Sequence, residues 1–65
     1  MREPHADYND NGVWVEDVPY SKIASHELKR YVAGDLGRYT GEEPEFYSPS
    51  FRREYAARIL RERGL

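Results

Sequence analysis

Cysteine is absent from these 65 residues, which removes both the disulfide frameworks and the thiolate zinc sites that commonly reinforce domains of this size. No apolar run approaches membrane-spanning length, and mean hydropathy is −0.96. The opening Met1-Arg2-Glu3-Pro4-His5-Ala6-Asp7 carries no hydrophobic core of a secretory leader. Together these absences predict a soluble protein of the cytoplasm with no membrane partner. Histidine is scarce: His5 and His26 stand apart, and no HxxxH spacing occurs. Asp7, Asn9, Asp10 and Asn11 form an oxygen-rich stretch, but Val18 stands where a calcium loop of the EF-hand kind places its closing glutamate. Phosphate-cradling glycine motifs are missing too, so neither metal nor cofactor is expected. Lysine is limited to Lys22 and Lys29. Cationic charge is therefore almost all arginine, a bias compatible with a GC-rich bacterial or phage source.

A chain of this length forms a single small domain, near the lower limit at which one hydrophobic core offsets folding entropy. A second copy or another protein can supply the missing burial. Catalysis needs polar groups held in an enclosing pocket, which so small a body rarely provides. The nearest candidates, Ser21, Ser25 and His26, lack an oriented base and an oxyanion site, and no enzyme activity is expected.

What the chain does have is charge polarity. Residues 1–20 hold Glu3, Asp7, Asp10, Glu16 and Asp17 against Arg2 alone, whereas residues 48–65 hold Arg52, Arg53, Arg58, Arg61 and Arg63 against Glu54 and Glu62. The same C-terminal stretch has the clearest element signals. Ser48 suits a helix N-cap, Pro49 the first helical position, and Gly64 a left-handed terminator. Phe51, Tyr55 and Ile59 repeat every four residues, with Ala56 and Leu60 widening the arc, so a helix is predicted over 49–63. Glu54 precedes Arg58 by four residues, the favourable order for a helical ion pair.

Upstream, Ser21 suits the cap of a first helix over 22–33, with Ala24, Leu28, Tyr31 and Val32 on its apolar side and Gly34 as its end; an extension to about Tyr39, which would add Leu36 to that side, is the alternative. Asn9-Asp10-Asn11-Gly12 is a turn signal, and Val13 to Val18 reads as one strand, with His5 to Tyr8 as a possible hairpin partner. Residues 1–11 are otherwise expected to be loosely packed, and 40–47 to form an acidic loop. The fold class expected is mostly α, with a small α+β variant as the alternative. A short N-terminal strand or hairpin packs on two antiparallel helices, and the core is Leu28, Tyr31, Val32, Phe51, Tyr55, Ile59 and Leu60, with Val13, Val15 and Ile23 at its edge.

Nine aromatic side chains exceed what two short helices easily bury. If Val13 and Val15 face inward, period-two alternation turns Trp14 outward, where with Tyr20 and an arginine-bearing helix it has the composition of an interface hot spot. The function expected is therefore a non-enzymatic regulatory or adaptor module that binds another protein through Trp14, Tyr20, Arg53, Arg58 and Arg61. The competing expectation is nucleic-acid binding through Arg52, Arg53, Arg58, Arg61 and Arg63, against which stands the pI of 5.6. A third is a structural subunit of a larger assembly such as a phage particle, which would form homo-oligomers.

Overall fold

A computed structural model describes residues 3–10, 12–40 and 47–65. Strands β1 (His5–Asp10) and β2 (Val13–Pro19) are followed by a 3-10 turn (Tyr20–Lys22), helix α1 (Ser25–Val32), strand β3 (Arg38–Tyr39) and helix α2 (Pro49–Glu62). The strands form one antiparallel sheet in the order β2-β1-β3, so the expected mostly-α fold with one hairpin is corrected to a small α+β fold. No helix among the described residues is long and apolar enough to cross a membrane.

Residues 1–11 are otherwise expected to be loosely packed, but His5 to Tyr8 does return as the hairpin partner of β2, and the strand extends over residues 5–10. They form the central strand, paired with β2 on one side and β3 on the other. Ala6 and Tyr8 point into the core, and His5, Asp7 and Asn9 alternate to the opposite face. Asp10 opposite Val13 closes the hairpin, and Gly12 in the connection has φ 83°, a left-handed conformation glycine adopts readily. Further along, Tyr8 pairs with Val15 and Ala6 with Val18, so Glu16 and Asp17 together oppose Asp7. This is a β-bulge. Asp17 sits there at φ 54°, a left-handed conformation that aspartate tolerates better than most residues.

After Pro19 the chain does not enter a helix at Lys22 as expected. The 3-10 turn places Tyr20 and Ile23 three residues apart on one side, and both are fully buried. Helix α1 then begins at Ser25 behind Ala24, which has no side-chain cap, while Ser21 donates its hydroxyl to Glu3 at 2.9 Å. The ends of both helices follow one pattern. Gly34 N–H donates to Tyr31 C=O and Asp35 N–H to Arg30 C=O; Gly64 N–H donates to Arg61 C=O and Leu65 N–H to Leu60 C=O. Each is a Schellman stop on a glycine of positive φ. Helix α2 also starts where the sequence marks it, with Phe51 N–H donating to the Ser48 hydroxyl at 3.2 Å.

The core unites both layers: Ala6, Tyr8 and Val18 from the sheet, Tyr20 and Ile23 from the turn, Leu28 and Tyr31 from α1, and Ala56, Ile59 and Leu60 from α2. Val32 and Val13, assigned inward from the sequence, are 41% and 64% exposed. Val32 lies at the last helical position, and Val13 closes the hairpin. Phe51 and Tyr55 are only half-buried. Glu27, by contrast, is buried and forms an ion pair with Arg30 at 2.9 Å. Of the expected acidic loop, 41–46 lie outside the described residues, and Tyr47 beyond them is buried.

The Tyr31 hydroxyl is buried with no hydrogen-bond partner, and burial pushes its phenol well above the usual value. Burial raises Tyr20 as well, although the nearby Arg52 guanidinium pulls partly back. Because these phenols hold their protons more tightly when folded, the unfolded chain loses them first, from about pH 10 upward. Their contribution is complete below that pH and is lost as pH climbs towards the folded-state values. Tyr31→Phe removes an unsatisfied hydroxyl, so at pH 7 its unfolding free energy from urea titration is expected to equal or exceed the wild type's, by up to about 1 kcal/mol. The midpoint should also fall less steeply above pH 10; parallel alkaline slopes for both proteins contradict the buried phenol.

Candidate functional site

Two surfaces carry chemistry, one on each layer. The first is the sheet face turned away from the helices. There the bulge folds Asp17 back so that its backbone N–H donates to the Asp7 carboxylate at 2.7 Å. Asp7 is itself only 8% exposed, and its other oxygen lies 3.7 Å from Arg38 Nε on β3. The Asp17 carboxylate meets His5 Nδ1 at 3.1 Å and accepts from the Thr40 hydroxyl at 3.2 Å. Thr40 N–H in turn donates to His5 C=O.

The cluster gathers His, Asp and Thr, and Thr40 donates to the carboxylate rather than to the imidazole, so the hydroxyl and the His5 ring do not form a nucleophile–imidazole pair. Asp17 instead joins β1, β2 and the end of β3. Ser21, Ser25 and His26 likewise turn to separate partners: Ser21 to Glu3, Ser25 to Arg63 at 2.9 Å, and His26 to Asp10 at 3.9 Å. Among the described residues, no group of three or more His, Asp or Glu side chains could hold a metal ion.

Beyond the bulge, Trp14 pairs with Asn9, which places it on this same outer face, and it is 66% exposed. Glu16 and Asp17 lie exposed on the same strand.

The second surface is the open side of α2. Ala56, Ile59 and Leu60 bury one side, and at 100° per residue Phe51, Glu54, Tyr55, Arg58 and Arg61 fall on the other. These five line a cavity of about 230 Å³. Tyr55 is fixed as its floor by a hydroxyl hydrogen bond to Glu3 at 3.0 Å, and burial followed by that carboxylate raises its phenol. Arg58 lies over the Tyr55 ring, 4.9 Å from its centre, rather than closing the ion pair with Glu54 that the spacing predicts. Phe51 stacks at a tilt against Tyr55 at 6.0 Å.

The residues expected to bind a partner are thereby separated. Trp14 occupies the sheet side, and Arg58 and Arg61 the α2 side. Arg53 is half-buried on another row of the helix, with Ala57 and Leu60. Tyr20 is fully buried and belongs to the core, a correction to its placement at the surface. The five arginines of the nucleic-acid reading are divided as well. Arg52 turns inward, 4.4 Å over the Tyr39 ring, with two of its nitrogens buried and unpaired. Arg63 donates to Ser25 and to the Ser21 carbonyl, tying the end of α2 to the start of α1. Of the five, Arg58 and Arg61 line the open groove.

Phe51 and Tyr55, whose spacing assigns them to the core, and Glu54 are the groove residues that the sequence does not single out as contacts. The available signal was position: Phe51 and Tyr55 lie at the border of the apolar arc, and Arg58 follows Tyr55 by one turn. Compared with protein-family models, curated proteins and solved structures, the chain matches none.

Asp7→Ala tests the polar cluster. It leaves the Asp17 N–H without its acceptor and Arg38 without its carboxylate, so a loss of roughly 1–3 kcal/mol is expected in urea, with unchanged m. Asp7→Asn keeps an acceptor oxygen and should lose less than half of that. Equal loss in the two variants contradicts the assigned role of the bulge bond.

Proposed function

We propose that this chain is a non-enzymatic adaptor or regulatory module that binds another protein through the open side of α2. The observation that supports it is the groove itself: the half-buried rings of Phe51 and Tyr55, with the Arg58 guanidinium over Tyr55 and Glu54 and Arg61 beside them, on the solvent-facing flank of the helix. A volume of about 230 Å³ falls below the roughly 300–1,000 Å³ common for small-molecule pockets, and it suits one large side chain of a partner. Aromatic and arginine side chains are also those most enriched where binding energy concentrates. Arg58 and Arg61 are the contacts carried forward from the sequence, now joined by Phe51 and Tyr55, with Trp14 as a separate contact on the other layer. We place the module in the cytoplasm, where a cysteine-free chain forgoes no disulfide.

Nucleic-acid binding is the weaker reading. Phosphate contact draws its strength from many cations acting together, and here Arg52 and Arg63 are engaged internally.

Photo-crosslinking in the host cell tests the proposal. A benzophenone amino acid placed at Glu54, within the groove, is expected to give discrete protein adducts that disappear with Arg58→Glu, whereas the same probe at Lys29 on α1 gives none. Nuclease-sensitive adducts from position 54 support the nucleic-acid reading instead. Absence of any adduct from position 54 contradicts a protein-binding groove.

A further inference from the structure

We infer that one occupant of the α2 groove is a second copy of this chain, the Trp14 hairpin of one molecule seating against Phe51, Tyr55, Arg58 and Arg61 of the next. This rests on reading the groove as a protein-binding site and names the partner.

The two surfaces complement each other in shape and in charge. The groove offers room for one large side chain beside the Phe51 and Tyr55 rings, with Arg58 over Tyr55, and its lining of Arg58, Arg61 and Glu54 carries a net positive charge. The hairpin presents the chain's one tryptophan, 66% exposed, on a strand whose Glu16 and Asp17 also reach solvent. An indole entering the groove would bring the exposed Glu16 carboxylate to the guanidinium groups, a pairing that steers encounter and fixes register.

Within one molecule the two halves lie on different layers: Trp14 is on the sheet face turned away from the core, and the groove is on the flank of α2. Each molecule therefore carries both halves of the interface on separate surfaces, which makes the contact heterologous. Such contacts propagate head to tail unless the rotation between copies closes a ring.

The alternative self-contact, β2 edge against β2 edge, is disfavoured by the backbone. The bulge at Glu16 and Asp17 leaves a run of only Val13–Val15 before the ladder is interrupted, and bulges are one of the devices that blunt sheet edges. A knob of one indole in a groove buries less than a standard interface, so the association should be weak and salt-sensitive.

Sedimentation equilibrium on the purified chain tests this directly. The wild type is expected to rise in mass beyond a dimer as concentration approaches about 1 mM at low salt, and to return towards the monomer when salt screens the ion pairs. Trp14→Ala lacks the knob and Arg58→Glu lacks the socket, so each alone should stay monomeric while far-UV circular dichroism shows it folded. Mixed together they should form a one-to-one heterodimer that grows no further, because only one productive interface remains. If Arg58→Glu proves unfolded, Arg61→Glu serves as the socket variant with the same expected outcome. A wild type monomeric at every concentration, an Arg58→Glu variant that associates like wild type, or a mixture that stays monomeric each overturns the inference. Protein adducts of other mass from position 54 in cells would then still support the groove as a binding site for a different protein.

Discussion

Tyr20 is where this fold is joined. Its backbone N–H donates to Pro4 C=O at 3.0 Å, fixing the segment before the central strand. Its ring packs 5.2 Å from Tyr31 on α1 and 6.2 Å, edge-on, from Tyr55 on α2. One residue thus ties the first strand's approach by its backbone and both helices by its fully buried side chain. Neither layer holds together alone: a short three-stranded sheet needs cover, and helices of 8 and 14 residues are marginal in water. The 3-10 turn that carries Tyr20 and Ile23 inward is therefore the constraint from which the two-layer arrangement follows.

That arrangement decides which surfaces remain open. The sheet spends Ala6, Tyr8 and Val18 on the core and turns its acidic, hydrogen-bonded face outward with Trp14. Helix α2 spends Ala56, Ile59 and Leu60 inward and turns the Tyr55 and Arg58 side outward. The charge polarity of the sequence becomes a polarity of the body, acidic on the sheet and cationic along α2. An aromatic anchor sits on each side. Among the arginines of the C-terminal stretch, Arg52 lies inside against Tyr39, Arg63 ties helix to helix at Ser25, and Arg58 lies over Tyr55 beside the open groove.

Local signals in the sequence were legible where one element's chemistry is complete by itself. Ser48, Pro49 and Gly64 mark α2 to within a residue at each end because caps are decided by neighbouring backbone groups. The Asn-Gly turn marks the hairpin for the same reason. What the sequence hid was non-local. Strand β1 buries an alanine and a tyrosine rather than a run of branched residues, so its inward face looks polar on paper. Strand β3 is two residues long, too short for any period, and exists because Ala6 and Asp7, more than thirty positions earlier, offer it an edge. The first helix begins late because Tyr20 and Ile23 are needed in the core, a tertiary demand that overrides the capping capacity of Ser21. For the groove, arginine content was visible, but which arginines share a surface depended on internal partners. Tyr20, read as an interface tyrosine, is instead the residue the interior is built on.

Amide hydrogen exchange followed by NMR tests this account most directly, since it reads the stability of each element separately. If the sheet and helices are held as one unit through the Tyr20 turn, the amides of Tyr20 and of central strand β1 should exchange only by global unfolding, as slowly as those of Ile59 and Leu60 in α2. Exchange of the β1 and Tyr20 amides at the rate of a free chain, while α2 stays protected, would mean that the helices pair without the strands and would contradict the account at its foundation.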